Sequence, residues 1–250
     1  MPVSVIKRIF SLVLVFVFVF SLAACNDGID DASTTYSYTP GVTSSGDSDD
    51  SAEETTAPQN IVINTDWQKN FTLSYSYYDA DNDSGMINIE ERRSDSAFTV
   101  EYTDTGALLY YAPNEGGGTD YYVIIPGESE QVHSYLADSS FATLSSMFMK
   151  LSKVDSTLPR KNNVVYMYEE SVAGRPCAKY IQRSYQDGEE TGTCYVWIDN
   201  EFGFASKCES FSAAGVLTLS WELKNFVSGE TTAEDTEVNL ADYTFVEEVG

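Results

Sequence analysis

From Phe71 onward the chain alternates apolar and polar residues with a period of two. Phe71, Leu73, Tyr75 and Tyr77 stand between Thr and Ser, the pattern of a strand with one face to a core and one to water. The acidic stretch from Asp79 to Gly85 turns the chain into Met86-Ile87-Asn88-Ile89, which predicts a hairpin. A strand over 97–102, the turn Thr103-Asp104-Thr105-Gly106 and a return over 107–112 predict a second hairpin. The loop 113–120 carries three consecutive glycines, and Pro126-Gly127 ends the strand Tyr121-Tyr122-Val123-Ile124-Ile125.

The period changes between Glu130 and Val154. Leu136, Phe141, Leu144, Phe148, Leu151 and Val154 fall largely three and four apart, which predicts an amphipathic helix, divided near Asp138-Ser139-Ser140. Strands resume beyond Pro159, over 164–169, 178–185, 193–199, 204–211 and 216–226, with turns at Gly174, Asp187-Gly188, Asn200 to Gly203 and Ala214-Gly215. The expected class is mainly β (α+β): a strongly curved antiparallel sheet of about ten strands in meander order, with a helical insertion over its concave face.

The first sixty residues follow other rules. Lys7 and Arg8 precede an apolar run of Val, Phe and Leu that closes on Leu22-Ala23-Ala24-Cys25, the parts of an export signal. The last four residues resemble the lipobox of bacterial lipoproteins, whose cysteine sulfur accepts a diacylglyceryl group before a peptidase cuts ahead of it. Residues 1–24 are therefore expected to be removed, and Cys25 to be the lipidated first residue. From Asn26 to about Asn60 the chain is Asp, Glu, Ser, Thr and Gly with scarcely an apolar side chain, too polar to offset its ordering entropy. Residues 25–60 are expected to form a lipidated, acidic tether, and 61–250 to form the domain.

The formal net charge is −25, and losing Lys7 and Arg8 makes it more negative. That excludes nucleic acid as a natural partner, because its phosphates require Lys and Arg. It equally disfavours docking on anionic headgroups, so attachment to the extracytoplasmic face of a cell membrane would come from the lipid anchor.

The segments Gly174-Arg175-Pro176-Cys177-Ala178-Lys179-Tyr180, Tyr195-Val196-Trp197-Ile198-Asp199, Gly203, Trp221-Glu222-Leu223-Lys224-Asn225-Phe226 and Tyr243-Thr244-Phe245 resemble the C-terminal half of LolA/LppX-like (lipoprotein-carrier) domains. The resemblance implies an unclosed β-barrel plugged by helices, and either a cavity for acyl chains or a module that meets an envelope or membrane protein. The inward residues would then be Leu73, Tyr75, Leu108, Tyr110, Val123, Ile125, Phe141, Leu144 and Phe148. A solid core would use the same residues, because cavity wall and packed core share a polarity.

Other chemistry is thin. The segment Asp79 to Glu90 spaces acidic side chains at the first, third, fifth and twelfth positions of an EF-hand-like loop, but Ser84 holds the glycine position and both flanks read as strands. An acidic hairpin turn accounts for the same letters, so no metal is expected. His133 is the only histidine, and no Gly-x-Ser-x-Gly elbow accompanies it, so it reads as a surface residue and no enzyme or cofactor is expected. Cys177, Cys194 and Cys208 are expected to be free or partly paired, since cysteines across adjacent strands often exceed bridging geometry. The leading expectation is a non-enzymatic lipoprotein binding a hydrophobic, lipid-like ligand between sheet and helix; the second is a solid-cored interaction module.

Overall fold

The computed structural model describes residues 60–81, 85–136 and 140–247. The export signal, Cys25 and nearly all of the tether lie outside the described residues, as does the middle of the acidic turn, 82–84. The strands are β1 (Phe71–Asp79), β2 (Ile87–Arg93), β3 (Phe98–Tyr102), β4 (Ala107–Pro113), β5 (Thr119–Ile124), β6 (Gln131–Leu136), β7 (Val164–Val172), β8 (Arg175–Gln186), β9 (Glu189–Asp199), β10 (Ala205–Ser212), β11 (Leu217–Ser228) and β12 (Phe245–Glu247). Among the described residues these make one 12-stranded sheet in the order β12-β6-β5-β4-β3-β2-β1-β11-β10-β9-β8-β7.

Two meanders, β1 to β6 and β7 to β11, are thus joined where β1 pairs with β11. Every ladder is antiparallel except that between β12 and β6, which is parallel. The outermost strands β7 and β12 do not pair with each other, so the strongly curved sheet is an unclosed barrel. Register shifts interrupt the ladders at Ser74/Tyr75, Tyr166/Tyr168, Ser184/Tyr185, Ala205/Lys207 and Ser210/Phe211. Each extra residue bends its strand and adds right-handed twist, which coils the β7–β11 half. No helix among the described residues is long and apolar enough to cross a membrane.

The concave face is read off the registers. Leu73 faces Glu91 and Phe226, Tyr75 faces Ile89 and Leu223, and Tyr77 faces Trp221; Ile89 continues to Tyr102, Glu91 to Val100 and Leu109, and Arg93 to Phe98 and Tyr111. Phe71, Leu73, Tyr75, Ile89, Phe98, Trp221 and Leu223 are buried. Removing such apolar area from water contributes ~25 cal/mol per Å², which makes this face the main source of stability.

The long helix expected over 130–154 is not formed. Gln131–Leu136 is strand β6, Phe141–Thr143 is a single 3-10 turn, and only Met147–Leu151 is α-helix, here α1. β6 owes its conformation to the open edge of β5 and to Gln131, whose side chain accepts from the Ile125 amide at 2.6 Å and donates to the Ile125 and Glu128 carbonyls at 3.3 and 2.9 Å. A propensity worth tenths of a kcal/mol per residue yields to a ladder of backbone hydrogen bonds. β12 carries no expectation from the sequence; its three residues join the sheet only because a tail crosses the outer face to reach β6.

The resemblance motif is accounted for by architecture. Arg175 donates to Asp199 through Nε at 2.5 Å and through a terminal nitrogen at 3.2 Å, reaches Glu201 at 2.8 Å, and lies over the rings of Phe202 and Phe226. Asp199, itself buried, accepts from the amides of Glu201 and Phe202 and so shapes the turn after β9. Cys177, Cys194 and Cys208 are unbridged thiols.

Candidate ligand-binding site under the helical cover

The segment from Phe141 to Ser152 lies across the concave face and is held there at two levels. Its apolar anchor is Phe148, fully buried, whose ring meets Tyr75 at 5.3 Å, Phe204 at 5.7 Å, Trp221 at 5.8 Å and Trp67 at 6.1 Å. Trp67 in turn meets Phe71, Phe204 and Phe226, so this part of the concave face is filled by interlocking rings.

The second level is polar and comes from β2, where Glu91 and Arg93 occupy buried positions in phase with Ile89. Arg93 donates to the carbonyl of Leu144 at 2.5 Å and to that of Phe141 at 2.8 Å, and its guanidinium lies 5.2 Å from the Phe141 ring. Glu91 Oε1 accepts from the Phe148 amide at 3.2 Å and from the Tyr75 hydroxyl at 2.9 Å. Ser146 caps α1 by accepting from the Met149 amide at 3.0 Å, so carboxylate and cap together satisfy amides that the first turn leaves open.

Glu91 is wholly buried and its Oε2 has no hydrogen-bond partner. Desolvation raises its pKa, while the Ser146 hydroxyl, the Phe148 amide and the Tyr75 hydroxyl pull it partly back. Burial also lowers the Arg93 pKa and, reinforced by the Glu91 charge, pushes Tyr75 well up. Tyr102 and Tyr111 are raised by burial first, then by Tyr121 and by Glu91.

Those phenols lie on the concave side of β3 and β4. Tyr111 stacks on Phe98 at 5.5 Å and on Tyr121 at 4.9 Å. Leu109, Tyr111, Tyr121 and Val132, which share the concave side of β4 to β6, are half-buried. Apolar walls with a few convergent polar groups are the composition of small-molecule sites.

The structure divides the residues expected to line a site. Leu73, Tyr75, Val123, Phe141 and Phe148 are buried on the concave side or in its cover, and Leu144 is half-buried there, presenting its carbonyl to Arg93. Ile125 lies one residue beyond β5, its backbone tied to Gln131. Leu108 and Tyr110 are on the opposite face: Tyr110 meets Tyr122 at 5.7 Å, and Tyr122 meets His133 at 4.6 Å and Phe245 at 5.1 Å. The run Ala107–Ala112 is apolar or aromatic at each position, so it carries no phase, and a shift of one residue exchanges the faces. Glu91, Arg93, Tyr111 and Tyr121 escaped the sequence reading. The usable signal for the first two was the alternation Ile87, Ile89, Glu91, Arg93, which puts two charges in phase with two isoleucines. His133 is half-buried on β6, with Nε2 3.6 Å from Asp120.

No family model matches the chain, and no curated protein matches it. Solved structures do. The MucA/MucB complex of Pseudomonas aeruginosa aligns with a TM-score of 0.36 and 18% identity over 70% of this chain and 57% of that one. A LolA superfamily protein from Nitrosomonas europaea aligns at 0.27 with 9% identity over 69% and 91%. The Mycobacterium tuberculosis lipoprotein LppX aligns at 0.32 with 12% identity over 62% and 84%. This chain spans 58% of MucB in a further structure of that protein. The sheet of this chain is, by its own ladders, curved, unclosed and mostly antiparallel.

Proposed function

We propose that this protein is a non-enzymatic lipoprotein, anchored through Cys25 on the extracytoplasmic face of a cell membrane, whose domain binds a hydrophobic, lipid-like ligand on its concave face beside and beneath the Phe141–Ser152 cover. The observation that carries this reading is the polar fastening of the cover, with Arg93 on two of its carbonyls and Glu91 on one of its amides. A permanent plug gains more from apolar packing than from buried charges, whose desolvation offsets much of their attraction. Polar fastenings of this kind suit a segment that is released and refastened. The half-buried Tyr111 and Tyr121 would be the first side chains an acyl chain meets on this face, and lifting the cover would extend its path toward Leu73, Tyr75 and Phe148.

The second reading, a solid-cored module that meets an envelope protein, is favoured by the ring cluster of Trp67, Phe71, Phe148, Phe204, Trp221 and Phe226. Native mass spectrometry of the chain from Asn26, produced in a bacterial host, separates the two. The carrier reading expects discrete adducts of phospholipid or glycolipid mass that are lost on refolding and diminished by Leu144→Trp. A clean mass with no uptake of added lipid overturns it and directs the search to crosslinked protein partners.

A further inference from the structure

Cys194 on β9 and Cys208 on β10 bring their Sγ atoms to 3.4 Å. They are not direct partners in the ladder: Cys194 faces Ser210 and Cys208 faces Val196. They are diagonal neighbours, a relation that usually leaves ~7–8 Å between Cα atoms, the upper end of what a disulfide spans. Here the two side chains lean toward each other across a regular stretch of the β9–β10 ladder, Lys207 to Ser212, and bring the sulfurs within contact. Both residues are half-buried, whereas Cys177 is fully buried and faces Asp199 farther along β9. Cys208 also stands opposite Trp221, whose ring supports Phe148 of the cover.

We propose that Cys194 and Cys208 are a reversible disulfide site, closed by a disulfide oxidant of the glutathione or oxidoreductase class and leaving Cys177 as the free thiol of the domain. In the first step the Cys194 thiolate attacks one sulfur of the oxidant; its S–S bond breaks, a mixed disulfide forms at Cys194, and one thiolate leaves. In the second step the Cys208 thiolate attacks Cys194 Sγ, the intramolecular bond forms and the second half of the oxidant leaves. The two protons of the cysteine thiols pass to the two released thiolates, and the two electrons reduce the oxidant to two thiols. The hydrogen bond between the two sulfurs lowers the Cys194 pKa to about 7 against the effect of burial, so the pair supplies a thiolate near neutral pH. The bridge would tie β9 to β10 directly beside Trp221, so its state is registered on the floor beneath the cover. This inference does not depend on what the concave face binds.

The test is oxidation of the folded chain from Asn26 with glutathione disulfide, followed by thiol counting in denaturant and unreduced peptide mapping. The three thiols should fall to one. Trypsin cuts after Arg183, Lys207 and Lys224, so the peptides 184–207 and 208–224 should travel together and separate on reduction. Cys177→Ser should keep the link, and Cys208→Ser should instead accumulate glutathione on Cys194. Persistence of all three thiols, a link that includes Cys177, or a parent chain that stops at the Cys194–glutathione adduct would each overturn the assignment.

Discussion

A single carboxylate shows how the interior combines packing with a pH response. Glu91 is held in an apolar setting with its pKa above the ordinary carboxylate value, burial being the dominant cause. Its native state therefore binds a proton more tightly than the unfolded chain does. Stability from this group is fully present below the unfolded pKa and is lost as pH rises through the folded one. Glu91→Gln keeps an oxygen for the Phe148 amide and the Tyr75 hydroxyl without the buried charge. The urea midpoint of the parent should fall as pH rises from the ordinary carboxylate range toward neutrality, because the raised pKa of Glu91 lies above that range. The variant should lose part of that slope and match or exceed the parent at neutral pH. Identical pH profiles would show that Glu91 does not titrate in this window. Arg93 differs, because its two hydrogen bonds to cover carbonyls have no substitute of similar shape. Arg93→Ala leaves both oxygens unsatisfied and should cost about 2–4 kcal/mol in denaturant unfolding.

At the scale of elements, alternation was a reliable guide where one residue class occupied one phase, as in Phe71–Tyr77, and failed where it did not, as in Ala107–Ala112. The three-and-four spacing after Glu130 misled for a different reason. Leu136, Phe141 and Phe148 do come to one side of the molecule, but through a strand, a 3-10 turn and a short helix that place them separately. The alternation Ile87, Ile89, Glu91, Arg93 carried the inward direction of both charges but not what they hold, because their partners are backbone groups some fifty residues away, 57 for Glu91 and 51 and 48 for Arg93. The turn after β9 was legible as a turn but not in its tightness. Gly203 has φ +70°, and a Cβ there would stand 2.1 Å from the Val62 carbonyl oxygen, where residues 61–64 cross the turn. The Asn64 amide donates to the Phe202 carbonyl at 2.9 Å and fixes that crossing. Gly203→Ala meets both a left-handed backbone and a backbone clash, and should destabilise the fold by about 2–4 kcal/mol. Thermal unfolding checks this, with Gly188→Ala as the comparison. That glycine also has positive φ but has open space around its Cβ position, so its loss should be smaller. Equal losses would show that the crossing of 61–64 over the turn adds nothing.

The molecule as a whole has two sheet ends and treats them differently. β7 is an outer strand that carries exposed Glu169 and Glu170 and a bulge near Met167, both of which discourage pairing with another chain. β6 has no such guards and is covered instead. After β11 the chain pairs Thr231 with Asn70 in both directions, touches Thr72 through Thr231 and Ser94 through Thr236, and crosses the outer face of the first meander. Burial and then the Glu237 charge raise the Tyr110 pKa, Phe245 meets the Tyr122 ring, and β12 then lies along β6. The tail therefore does two things: it shelters the outward Tyr110 and Tyr122, and it occupies an edge whose unpaired amides and carbonyls would otherwise be a template for association. Ending the chain at residue 240 removes β12 and Phe245 while leaving the Thr231 and Thr236 contacts in place. The shortened chain should unfold at a modestly lower urea concentration, because little packed core is lost. It should also elute from a sizing column as larger species whose proportion grows with concentration, while the parent does not change. A shortened chain that stays monomeric across that range would mean the edge of β6 is protected by its own residues. In that case β12 would contribute to stability without guarding the edge.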